Sequence, residues 1–303
     1  MKILVIDSHK GSGDSVPQNM HWQNAKIIAD SLGADLIWSY PSVNDNIVGG
    51  YDVIIFVHAS HYAYTDYEWL EKSPYAKLFY ITNEYNLGEP RTLWMAAKKG
   101  RKYDVIANHD PEPSKVVMKY VNSWNNINLN ALIYNPVKRK DDSSLFEICR
   151  DGCVYYGSFR KNRAKYFSKY LNENVDVSTH HKNIVKFLDV GVTSRMINRI
   201  DWHNDGLFTF KHSLYIEDEV THNHYNHLAN RFYEALNYNC IPLFSEECEM
   251  TSALCNYDIP TDFFISDSSE ISGKDLSIPD EWHWIAQTEK EQAIERIEYI
   301  IYL

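Results

Sequence analysis

C-V-Y-Y-G-S-F-R-K-N-R, residues 153–163, begins as an apolar run ending at Tyr156 and passes through Gly157 and Ser158 into a segment of helical spacing. That order predicts a strand over Val154–Tyr156, a tight turn at Gly157, and a helix over Arg160–Leu171 capped by Ser158. A helix N-terminus presents unpaired N–H groups and the positive end of the helix dipole, which together suit a phosphate. Arg160 and Arg163, three apart, fall on one face of the first turn and can close on a diphosphate with charge-assisted bonds. An ordinary capped helix with solvated arginines fits the same spacing.

The pattern continues on either side. Downstream, strands are expected at Val175–Thr179, Leu214–Glu217 and Ile241–Phe244, with a helix over Tyr225–Tyr238 and a terminal amphipathic helix over Thr288–Ile301. Upstream, strands are expected at Lys2–Asp7, Ala34–Trp38, Asp52–Val57, Lys77–Thr82 and Val105–Ala107. Helical patterns over Asn19–Leu32, Thr65–Lys72, Pro90–Lys99 and Ser114–Val121 alternate with them, and Gly33 stops the first. Such alternation reads as βαβ units around a parallel sheet, with right-handed crossovers. Asn135–Asp151, with Pro136 and a K-R-K run, breaks the pattern. Two Rossmann-like α/β domains, 1–150 and 151–303, facing across a cleft, are therefore expected.

Composition narrows the classes. The 303 residues are 44% hydrophobic and 23% charged, which excludes disordered, collagenous and disulfide-scaffold chains. No apolar run approaches the roughly 20 residues of a membrane span. The first strand turns polar too soon for a secretory signal. Five cysteines, odd in number and without C-x-x-C spacing, suit reduced thiols in a cytoplasm. The net charge of −11 is uneven. Residues 1–150 carry 16 Lys and Arg against 17 Asp and Glu, whereas 151–303 carry 14 against 24. A nucleic acid would have to meet the first half.

H-L-A-N-R-F-Y-E-A-L-N-Y-N-C-I-P-L-F, residues 227–244, places Arg231 and Glu234 on one helical face ahead of a buried strand. The pair reads as an intrahelical salt bridge. Alternatively, a carboxylate at a sheet's carboxyl edge can accept both hydroxyls of a ribose.

These two segments resemble nucleotide-sugar glycosyltransferases of the two-Rossmann (GT-B) type, and within them the phage DNA β-glucosyltransferases that modify 5-hydroxymethylcytosine. The resemblance runs from Met1 to about Pro260, patchy in the first half and dense at 153–163 and 214–244. It implies that Ser158, Arg160 and Arg163 hold the diphosphate of a UDP-sugar, and that Arg231 and Glu234 bind its ribose. L-Y-I-E-D, 214–218, resembles the family strand preceding that helix, and G-V-T-S, 191–194, resembles the uracil loop, with the Val192 backbone reading the base. The implied partners are double-stranded DNA containing 5-hydroxymethylcytosine and the UDP-sugar donor. Mg²⁺ assistance to the leaving diphosphate, a monomeric state, no membrane, and a place in the cytoplasm of an infected bacterium go with it.

The first half departs from the family. V-P-Q-N-M-H, 16–21, resembles a loop bearing a carboxylate near the donor sugar, yet Met20 stands there; K-L-F-Y-I-T-N-E, 77–84, ends with Asn83 where the family has its catalytic Asp. An inverting transfer needs a base for the acceptor hydroxyl, so Glu84 becomes the candidate, with Asp14 in the G-S-G-D loop in reserve. Glu84 also reads as a solvated strand-end carboxylate. Both departures bear on which sugar fits, so a pentose such as arabinose stands beside glucose. H-K-G-S-G-D, 9–14, lacks the third glycine of a dinucleotide fingerprint, with Val16 in its place. His224 and His227 have metal-like spacing without a third ligand, so a polar loop is expected and no metal site is assigned. The basic runs K-K-G-R-K, 98–102, and K-R-K, 138–140, are candidates for DNA phosphates or plain solvated faces; Tyr62, Tyr64, Tyr67 and Trp69 are candidates for stacking on an extruded base, or core. Two further readings remain: the same donor site with a glycan or protein acceptor, and a non-catalytic nucleotide-sugar-binding or DNA-binding relative.

Overall fold

A computed structural model describes residues 1–7, 20–38, 49–57, 72–83, 100–108, 121–136, 150–200, 206–218, 227–249 and 255–303. The chain divides into two compact units, Met1–Ile133 with Thr288–Leu303, and Tyr134–Gln287.

The first unit contains β1 (Ile3–Asp7), α1 (Met20–Leu32), β2 (Asp35–Trp38), β3 (Val53–Val57), β4 (Lys77–Thr82), β5 (Tyr103–Ala107) and β6 (Val121–Asn126). They form one parallel sheet in the order β2-β1-β3-β4-β5-β6. Its inner strands are covered on both faces, which is why they read as continuous apolar runs. On one face Val5, Ile55, Phe79 and Ile81 pack with Ala25, Ile28 and Ala29 of α1; on the other Leu4, Ile6, Ile54, Phe56 and Tyr80 form a second core. Gly33, at φ +58°, ends α1 in the left-handed conformation that side-chain-bearing residues avoid. The edge strand β6, V-N-S-W-N-N, has too polar a pattern to be legible in sequence. The helices expected around 65–72, 90–99 and 114–121 fall almost wholly outside the described residues.

The second unit contains β7 (Cys153–Tyr156), a 3₁₀ turn (Lys161–Arg163) leading into α2 (Ala164–Tyr170), β8 (Val175–Ser178), α3 (His181–Asp189) and β9 (Met196–Ile197). It continues with β10 (His212–Tyr215), α4 (Asn230–Asn237), β11 (Ile241–Ser245) and β12 (Phe264–Ile265). The parallel order is β12-β11-β10-β7-β8-β9. Counted from the unit's own first strand, this is the doubly wound 3-2-1-4-5-6 arrangement, whose winding reverses between β7 and β10. Tyr155, Val177, Leu214, Ile216 and Leu243 build the core beneath α2 and α3, with Phe167 and Phe187 packed on it. Trp282 is fully buried against Phe232 and Phe263, ring centroids 5.6 and 4.8 Å away.

The last helix, α5 (Asp280–Tyr302), starts earlier than its periodicity predicts. Its Ala293, Ile297 and Ile301 belong to the core of the first unit, so the chain returns to the domain in which it began. The sequence division had assigned this helix to the second domain. A local pattern shows that a helix is amphipathic without saying which core takes its apolar face.

Candidate functional site at a topological switch point

In an open parallel sheet, ligands bind beyond the carboxyl ends of the strands where the winding reverses. In the second unit that point lies between the ends of β7 and β10. Beyond β7 come Gly157 and Ser158; beyond β10 come Ile216, Glu217 and Asp218.

Glu217 is 1% exposed and Asp218 6% exposed. Burying two adjacent carboxylates is tolerable only with compensating charge, which two arginines supply. Arg163, from the 3₁₀ turn after β7, donates through Nη2 to Glu217 and through Nε to Asp218 Oδ2 at 3.3 Å. Arg231, in the first turn of α4, places Nη2 3.4 Å from Glu217 Oε1 and donates through Nη1 to the Ile216 carbonyl at 3.2 Å. Its guanidinium lies over the Tyr155 and Tyr215 rings, 5.7 and 5.5 Å from their centroids. Burial works most strongly against both guanidinium charges, but Glu217 together with neighbouring tyrosines, and for Arg163 also Asp218, more than offsets it and raises their pKa values.

Glu234, one turn along α4, is also buried and accepts from Asn230 Nδ2 at 2.6 Å. Burial pushes its carboxyl up to about 7, against the opposing pull of Tyr156, Asn230, Arg231 and Arg199. Tyr156 donates to the Arg231 carbonyl at 3.0 Å and borders Glu234, which ties the end of β7 to α4.

The structure brings Arg163, Arg231 and Glu234 to one edge, and it adds Glu217 and Asp218, which the sequence reading had noted only as part of a strand motif. Several local expectations are corrected. No side chain caps the turn after β7: Arg160 occupies the position before it, and Ser158 is exposed in the preceding loop. The intrahelical Arg231–Glu234 bridge gives way to pairing across the sheet edge, because Glu217 sits deeper and is the stronger counter-charge. Arg160 stays exposed while Arg163 turns inward, so the two do not form a matched pair. The helix of α4 starts five residues later than its pattern predicts.

Val192 is 3% exposed, and its N–H donates to the Phe187 carbonyl at 3.2 Å. Its loop runs into the start of β9 and is tied to Leu171 and Asn172, which precede β8. Val192 therefore lies at the amino edge of the sheet, opposite the switch point. The resemblance had matched a short motif one strand length away from the carboxyl edge, where Asn198–Ile200 lie. There the Ser178 hydroxyl donates to the Asn198 carbonyl and accepts from the Ile200 N–H at 2.7 Å.

In the first unit, Asn83 follows β4. It donates to Asn130 Oδ1 at 2.9 Å, and Asn108 donates to the same oxygen at 3.0 Å. Asn24 donates to Asn83 Oδ1 at 3.4 Å. An amide so engaged, with no proton to take up near neutral pH, is a structural link. Glu84, Asp14, His224 and the aromatic group Tyr62–Trp69 lie outside the described residues, as do Lys98, Lys99 and the 138–140 run. Arg101 is no free cation: it donates to the backbone carbonyls of Ser73 and Ala76. Among the described residues no cluster of three or more His, Cys, Asp or Glu is arranged to hold a metal, and no helix is long and apolar enough to cross a membrane. Both carboxylates at the switch point are committed to Arg163, so an ion assisting a diphosphate would be held chiefly by the diphosphate's own oxygens.

Two doubly wound parallel sheets in tandem, the second with a buried arginine pair at its switch point, define an α/β fold of the GT-B type. The chain is similar over 98% of its length to solved structures of β-glucosyltransferase, 95% of whose chain is covered. One is T4 phage β-glucosyltransferase described for substrate binding and a proposed catalytic mechanism (15% identity, TM-score 0.65). Another is described as a DNA modifying enzyme, with and without its substrate uridine diphosphoglucose (16%, 0.63), and a third is the T4 phage protein with UDP and Mn²⁺ (14%, 0.61). No protein-family model matches the chain, and no curated protein sequence does.

Proposed function

We propose that the protein is a UDP-sugar-dependent glycosyltransferase that transfers a sugar to 5-hydroxymethylcytosine in phage DNA, with inversion at the sugar carbon. The observation that carries this reading is the buried Arg163–Glu217–Arg231 cluster at the switch point of the second sheet. Guanidinium groups fixed in a desolvated setting suit a diphosphate, and they suit the charge that develops on it as UDP departs. Exposed Arg160 is free to swing onto the same phosphates. Glu234, held in place by Asn230 and Tyr156, would accept the ribose hydroxyls. The backbone at Asn198–Ile200, on the same edge, replaces Val192 as the place where the base would be read.

The base is Glu84, with Asp14 in reserve. In the sequence Glu84 comes two residues after the end of β4 and Asp14 seven residues after the end of β1. Asn83 cannot serve, because its amide is tied to Asn130 and Asn24. Support for a DNA acceptor comes from the fold, shared with a DNA modifying enzyme that uses uridine diphosphoglucose. Met20 and Asn83, which depart from the family pattern, support a sugar site of altered shape, taking glucose or a pentose such as arabinose.

The test incubates the protein with hydroxymethylated duplex and a panel of UDP-sugars, then weighs the released nucleosides. A hexose or pentose mass gain on hydroxymethylcytosine is expected. No gain with any donor, with UDP bound normally, would leave the glycan or protein acceptor, which the net charge of −11 favours.

A further inference from the structure

The second half of the chain is strongly acidic, yet its charges are sorted along the carboxyl edge of its sheet. Beyond β10, β11 and β12 lie Glu217, Asp218, Glu246, Glu247 and Asp267. Beyond β7, β8 and β9 lie Arg160, Lys161, Lys165, Lys182 and Arg199, all exposed. Among the described residues no carboxylate forms a salt bridge with Arg160, Lys161 or Lys182, while the charge of Arg199 reaches Glu234 and favours its carboxylate. The loops that carry them are laced together: Gly157 N–H donates to the Ser178 carbonyl at 3.1 Å, and Thr179 Oγ1 donates to the Gly157 carbonyl at 2.8 Å. Ser178 in turn holds the Asn198–Ile200 loop. His180 and His181, their rings tilted by 37° with centroids 4.1 Å apart, sit within this arc. Partial desolvation, then the charges of His181, Lys182 and Arg199, hold His180 below its ordinary imidazole range.

We infer that this basic arc, from Lys161 through Lys182 to Arg199, is a docking surface for the phosphate backbone of duplex DNA. The inference rests on the DNA-acceptor reading above and places part of that interface on the acidic half of the chain. A donor diphosphate does not account for Lys161 and Lys182, because Arg163, Arg231 and Arg160 already meet it at the switch point. Lys182 and Arg199 stand one and two strands further out, about 5 and 10 Å along the edge. About 10 Å of duplex axis carries roughly six phosphate charges, so several unneutralised cations over that length match a nucleic-acid backbone. The acidic remainder of the unit repels any other approach. A solvated charged face alone does not explain why, among the described residues, these cations share one half-edge while Glu217, Asp218, Glu246, Glu247 and Asp267 lie on the other.

The test measures binding of a short hydroxymethylated duplex by fluorescence anisotropy across a salt series. The unaltered protein is compared with Lys161→Ala/Lys182→Ala and with Arg195→Ala. Arg195 is a control cation at the amino edge, where it pairs with Asp176. Each cation that neutralises a phosphate adds about 0.9 to the steepness of log K against log salt, so the double variant is expected to flatten that plot by about 1.8 and Arg195→Ala to leave it unchanged. Circular dichroism and UDP calorimetry confirm that each variant is folded. An unchanged slope in the double variant overturns the proposal. So does an equal flattening per residue in Arg195→Ala, which would show net charge and not place at work. No duplex binding by the unaltered protein at low salt would overturn the DNA-acceptor reading itself, and this proposal with it.

Discussion

Glu217 and Arg163 form a buried ion pair that joins the carboxyl end of β10 to the turn after β7, across the point where the sheet's winding reverses. Glu217 is 1% exposed, and its second oxygen faces Arg231 at 3.4 Å. One carboxylate thus fixes two guanidinium groups drawn from separate elements.

Removing that carboxylate leaves two buried cations short of their counter-charge. Breaking a buried pair from one side costs about 3–5 kcal/mol. Glu217→Ala is expected to lower the melting temperature and abolish UDP binding. Glu217→Gln keeps hydrogen-bond acceptance and should retain more of both. Differential scanning fluorimetry and calorimetry with UDP measure the two effects; tight UDP binding by the alanine variant would refute the role given to the cluster.

Donor affinity should depend on the ionisation of Glu234. Its carboxyl, held at about 7 by burial, is largely protonated at pH 6 and largely ionised at pH 8. Ribose hydroxyls donate best to the carboxylate, so binding of a UDP-sugar should tighten over this interval by up to about tenfold. A UDP-sugar is the ligand of choice because its diphosphate, esterified at both ends, has no ionisation near neutrality. Glu234→Gln should bind more weakly and show a flat profile.

Stability should fall in weak acid. Burial holds His212 and His227 at about 4, so between pH 4 and 6.5 the unfolded chain binds two protons that the folded chain refuses. Glu234 acts in the opposite sense, since between pH 4.5 and 7 the folded chain keeps a proton that the unfolded one releases. The balance of these three groups is one proton, or about 1.4 kcal/mol lost per unit as pH falls through this range. His212→Asn should reduce the pH slope by about that amount in urea melts at matched pH values; an identical slope would show that His212 is not held neutral.

The general base is testable without a structure of its loop. Glu84→Gln should retain UDP binding and lose transfer by about 10²–10⁴-fold. If transfer survives in Glu84→Gln and disappears in Asp14→Asn, the reserve assignment takes its place.

Much of the fold was legible because strands buried on both faces must be continuously apolar. K-L-F-Y-I-T and I-P-L-F gave themselves away in this manner, and Gly33 marked a helix end. Short or edge elements were not legible. V-N-S-W-N-N in β6 and the two residues of β9 carry too little apolar pattern.

At the site, the sequence by itself established residue types at spacings suited to a diphosphate and a ribose: Arg160, Arg163, Arg231 and Glu234. Only the tertiary structure decided which of them act together. Pairing between side chains 14 to 55 positions apart depends on the order in which strands are laid into the sheet, and no local period encodes that order. Strand order brought Glu217 to both Arg163 and Arg231, sent Val192 to the opposite edge, and collected the cations of an acidic half into one arc.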